Sequence, residues 1–77
     1  MPKLPPTKAR YLVKVVEKLG FVFRDQSGSH AMYIHSDGRR TTIPIHPTQT
    51  IGIGLLTKII KKDLQISRNE FIQILKK

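Results

Sequence analysis

Seventy-seven residues carry 14 Lys and Arg against 5 Asp and Glu, a formal net charge of +9. A chain this short supports one thin core, burying roughly 60% of its unfolded surface, and a hydrophobic share of 39% is too high for a disordered tail. The absence of cysteine excludes disulfides, zinc–thiolate sites and thiol catalysis, while the charge points to a polyanionic partner, nucleic acid ahead of an acidic protein, with plain solubility as the competing reading.

Residues 1–6, with Pro5 and Pro6, read as an extended arm without the apolar run of a signal peptide. Nothing approaches the ~20 apolar residues of a membrane span, so a cytoplasmic protein is expected. Thr7 is a candidate N-cap for a helix over 8–19, where Leu12, Val15, Val16 and Leu19 recur at helical spacing before Gly20. Arg10, Lys14 and Lys18 form a basic stripe along it. Such a stripe is either a plain solvated face or a track for phosphates. Residues 21–24 predict a strand, Ser27-Gly28-Ser29 breaks it, and residues 30–35 predict a second. Asp37-Gly38 reads as a two-residue hairpin turn into a third strand over 39–45, an edge because Pro44 lacks an N–H. This register pairs Ile34 with Thr41, Met32 with Ile43 and His30 with Ile45, all on the face the helices cover. A loop over 47–50 leads to a helix over 51–64, marked by Leu55, Leu56, Ile59 and Ile60, with Lys58, Lys61 and Lys62 on its other side. Ser67 and Glu70 form a capping box for a short last helix carrying Phe71, Ile74 and Leu75. The class is therefore α+β. A three-stranded antiparallel sheet with both main helices on one face is the αβββα arrangement of double-stranded-RNA-binding domains, which read RNA by shape.

Gly28-Ser29-His30 is the sharpest chemical feature. Imidazole exchanges protons near neutral pH, so His30 is suited to take a proton from a ribose 2′-hydroxyl or give one to a leaving 5′-oxygen. RNA supplies its own nucleophile, cations stabilise the charge that builds on phosphorus oxygens, and Gly28 lets a nucleotide backbone come close. The competing reading is a polar residue ending a buried strand. His46 falls near the same end of the sheet, or simply orders the loop before Pro47. His35, beside the Asp37-Gly38 turn, is expected on the surface. These histidines do not converge on a metal and no carboxylate accompanies them. No dinucleotide or Walker fingerprint exists, so no cofactor is expected. Tyr11, Phe21, Phe23, Tyr33 and Phe71 are too dispersed for a base-stacking platform.

Over nearly its whole length the chain resembles the HicA-type (YcfA-like) mRNA interferase toxins. The matching stretches are Leu19-Gly20-Phe21, Gly28-Ser29-His30, Tyr33, Asp37 through Thr42, Ile43-Pro44-Ile45-His46-Pro47, and Gly54-Leu55-Leu56 running into Lys58-Ile59-Ile60. Leu64, Ile66-Ser67 and Glu70-Phe71 continue it. The resemblance implies one toxin domain over residues 1–77 with the double-stranded-RNA-binding-like fold. It implies cleavage of mRNA without metal or ribosome, His30 as the catalytic residue, and a HicB-type antitoxin partner that blocks the active site. His46 carries over as a neighbour of the site. The RNA contacts expected around His30 are Gly28, Ser29, Arg24, Arg39, Arg40, Lys14 and Lys58. Two positions depart from the family's habit. Asp25-Gln26 stands where Arg-Gln is common, putting a carboxylate near the phosphate path. Gln65 stands where Gly is common, so the junction after the second helix is expected to be shaped differently. The alternatives are a non-catalytic double-stranded-RNA-binding module and a toxin remnant kept for complex formation or operator regulation.

Overall fold

A computed structural model describes residues 4–45 and 50–76. In chain order its elements are β1 (Thr7–Lys8), α1 (Ala9–Lys18), β2 (Val22–Ser27), β3 (His30–Ile34), β4 (Arg40–Pro44), β5 (Thr50–Ile51), α2 (Ile53–Lys58), a π-helical segment (Ile59–Leu64) that prolongs α2, and α3 (Arg68–Lys76). β2, β3 and β4 form an antiparallel sheet in that order. The helices lie over one face of it, giving the αβββα arrangement expected from the sequence. Leu12, Val15 and Val16 of α1 meet Ala31, Tyr33 and Ile43 of the sheet, with Leu56, Ile59, Ile60, Leu64 and Phe71 completing the core. Each large apolar side chain so buried contributes roughly 1.5–3 kcal/mol. The capping box forms as read: the Glu70 amide donates to Ser67 Oγ at 3.0 Å and the Ser67 amide to Glu70 Oε1 at 3.4 Å.

The sheet register corrects the sequence reading by one residue. The loop after β3 takes three residues, Ser36 to Gly38, because the His35 amide donates to the Arg39 carbonyl at 2.8 Å and Gly38 adopts φ +99°. Three-residue hairpins place glycine at that left-handed position. Ala31 therefore faces Ile43, Tyr33 faces Thr41, Met32 faces Thr42, Ile34 faces Arg40 and His30 faces Pro44. A one-residue slip turns a whole strand over. Ala31 and Tyr33 go under the helices, while His30, Met32 and Ile34 go to the open face.

Other differences arise from contacts between distant segments. Thr7 is no N-cap: it pairs with Ile51 in a two-stranded ladder of β1 and β5, and its hydroxyl donates to the Pro5 carbonyl at 2.8 Å. The helix after β5 does not keep α-winding to its end. Through Leu64 it is π-helical, and the Ile60 carbonyl accepts from the amides of both Gln65 and Ile66. The junction keeps a left-handed cap even without glycine, for Gln65 adopts φ 57° and ψ 45°. Two side-chain bonds tie this segment to the hairpin. Thr41 Oγ1 donates to Asp63 Oδ2 at 2.8 Å, and Arg39 Nη1 donates to the Leu64 carbonyl.

Candidate nucleic-acid interface

His30 owes its position to the tight turn before it. Ser27 and His30 pair across a two-residue loop, and Gly28 takes φ +58° at its first position, as a type II′ hairpin requires. Ser29, half-buried, accepts the Ile45 amide on its carbonyl, which pins the end of β4 beside the turn. His30 is exposed at the first position of β3, on the face away from the helices. Among the described residues nothing hydrogen-bonds its ring.

Along the same face lie Met32 and Ile34 of β3, then Thr42 and Arg40 opposite them on β4. Arg40, Thr42 and Met32 continue into an open groove of about 360 Å³ whose other wall is Leu55 and Lys58 of α2. The structure thus brings Arg40 and Lys58 together along the β4 edge of the sheet. Asp25 pairs with Met32 and shares this face, with its Oδ1 accepting the Gln26 amide at 2.8 Å. Arg24 is exposed in the irregularity of β2 between Phe23 and Asp25.

Other expected site residues lie elsewhere. Lys14 lines a separate groove between α1 and the covered face, with Arg10, Val13, Glu17, Gln26 and Tyr33. Burial, with the Glu17 carboxylate second, raises the Tyr33 hydroxyl above its ordinary pKa. Arg39 is half-buried near the far hairpin turn. Its Nε donates to Asp37 Oδ2 at 2.7 Å, its Nη1 to the Leu64 carbonyl, and its guanidinium carbon stands 5.2 Å from the Phe21 ring centroid. The Arg39 amide, and then its guanidinium, hold the Asp37 carboxyl below its ordinary range. His46 lies outside the described residues.

His35 is no free surface group. Its Nδ1 accepts the Asp37 amide at 3.1 Å and its Nε2 lies 3.1 Å from the Leu19 carbonyl, an arrangement that the Nε2–H tautomer satisfies. Its ring also meets Phe21 edge-on at 5.1 Å. Met32, Thr42 and Leu55 also line the groove, though the sequence analysis assigned none of them to the site. For Met32 and Thr42 the signal is alternation with His30 and Arg40, which needs the correct register to be seen. Among the described residues, no three His, Cys, Asp or Glu side chains gather in a way that could hold a metal, and no helix is long and apolar enough to cross a membrane.

Fold and surface together define a small, strongly basic α+β protein of the double-stranded-RNA-binding-like class. The family model for the HicA toxin of bacterial toxin–antitoxin systems matches residues 9–66, and the chain belongs to that family. It is accordingly a toxin of a toxin–antitoxin system, and membership implies a cognate antitoxin. A search of curated proteins returns no match.

Proposed function

We propose that the protein is an endoribonuclease that cuts mRNA in the cytoplasm without metal or ribosome, through His30, as a single toxin domain over residues 1–77. A HicB-type antitoxin neutralises it by blocking that site. The observation that carries this reading is the exposure of His30 on the open sheet face, where a phosphodiester can reach the imidazole. In the reaction, a ribose 2′-oxygen bonds to phosphorus and the bond from phosphorus to the 5′-oxygen breaks. His30 takes the proton of the 2′-hydroxyl or supplies one to the departing 5′-oxygen. The backbone at Gly28 and Ser29 borders the reacting phosphate. Arg24, Arg40 and Lys58 hold the strand by charge, with Lys14 and His46 as outlying contacts. Arg39 serves mainly to join the hairpin to the π-helical segment.

The test is His30→Ala. Loss of a general acid or base lowers the cleavage rate by about 10²–10⁴-fold, while thermal unfolding stays unchanged because the side chain packs against little. Cleavage at the parental rate would sink the assignment. Salt-sensitive binding by the parent chain with RNA left whole would mark a binding module instead.

A further inference from the structure

We propose that Arg40 and Lys58 form a phosphate clamp distinct from the cleavage centre, gripping the same single RNA strand beyond the linkage that His30 attacks. The proposal rests on the nuclease reading for what occupies the His30 end. The rest comes from placement. His30 pairs with Pro44 at one end of the open face and Ile34 pairs with Arg40 at the other, with Met32 and Thr42 between them. Four strand residues at ~3.3 Å each make this lane roughly 13 Å long. That exceeds one nucleotide of extended backbone, so Arg40 meets a different phosphate from the one cut.

The groove at that end has the makings of a nucleotide site. Lys58 comes from α2 and Arg40 from β4, so two separate elements converge two cations on one cleft, and Met32 and Leu55 give it an apolar lining. Apolar surface beneath a base or ribose and cations at the rim suit single-stranded RNA. Among the described residues neither Arg40 nor Lys58 is ion-paired, in contrast to Arg39. Asp63 also lines the groove, but its Oδ2 already accepts the Thr41 hydroxyl, and two cations against one carboxylate leave the cleft positive.

The experiment measures binding of a labelled single-stranded oligoribonucleotide to the full chain carrying His30→Ala, so that the RNA stays intact, over a range of salt. Adding Arg40→Ala and Lys58→Ala is expected to flatten the plot of log affinity against log salt by about 1.4, roughly 0.7 for each lost phosphate contact. Adding Lys61→Ala and Lys62→Ala instead removes the same charge from exposed positions outside the groove and leaves the slope nearly unchanged. Equal flattening by both pairs overturns the clamp. Neutral methylphosphonate linkages, introduced one at a time, should reveal a position that weakens binding to the His30→Ala chain but not to the chain lacking Arg40 and Lys58. A scan with no such position also overturns it. Cleavage by the parent chain is scored separately. Cutting without a clamp signature leaves His30 standing and removes the clamp, whereas a clamp signature without cutting does the reverse.

Discussion

Arg39 and Arg40 are adjacent and chemically identical, yet the pleat sends them to opposite faces and opposite tasks. Arg39 caps the carbonyl end of the π-helical segment, where a cation also meets the negative pole of the helix, and lies over Phe21. Arg39→Ala should cost about 2 kcal/mol, given charged hydrogen bonds at 1.5–3 and a cation–π contact near 1. That lowers Tm by roughly 10 °C in a domain of this size. Arg40→Ala should leave Tm where it is, since the side chain has no such ties. Differential scanning calorimetry on the two variants checks the division of labour, and equal losses would contradict it. Sequence reasoning placed both arginines on phosphates because a basic pair after a turn carries no mark of which side chain points inward.

Elements specified by neighbouring residues were legible, and those specified by distant ones were not. The helix of Leu12, Val15 and Val16 and the Ser67–Glu70 box rest on spacings of three and four residues, and both form as read. The hairpin failed by one residue because Asp37-Gly38 serves a two-residue turn and the end of a three-residue turn equally well. That single ambiguity inverted β3, so the sequence located His30 at the correct end of the sheet but on the wrong face. The β1–β5 ladder and the π-winding depend on partners more than twenty residues away and leave no local pattern. Gln65 shows the opposite case, a local preference overridden. A non-glycine residue in the left-handed region costs about 1–2 kcal/mol, and glycine gives back part of that as chain entropy. Gln65→Gly should therefore stabilise the fold by about 0.5–1 kcal/mol, read as a higher midpoint in urea with an unchanged slope. A lowered midpoint would mean that the Gln65 side chain makes contacts that outweigh the strain.

Across the whole molecule, electrostatic repulsion prevails, with a net charge of +9 on 77 residues. Like charges at this density oppose the compact state, and salt screens them over about 10 Å at 0.1 M. Moderate sodium chloride should thus raise the thermal midpoint. A midpoint that fell with salt would show that attractive pairs outweigh the repulsion. One such attraction is the Arg39–Asp37 ion pair, with Nε 2.7 Å from Oδ2.

The same charge acts together with the irregularity at Arg24. β2 is one of the two outer strands of its sheet and carries exposed Val22 and Phe23, which is the profile of a surface that recruits foreign strands. Its pairing shifts between Phe23 and Asp25, so an incoming backbone meets a break in the pattern of donors and acceptors. A version with Arg24 excised would present an unbroken run of them. Liberated from its antitoxin, such a chain would be prone to stack into fibres.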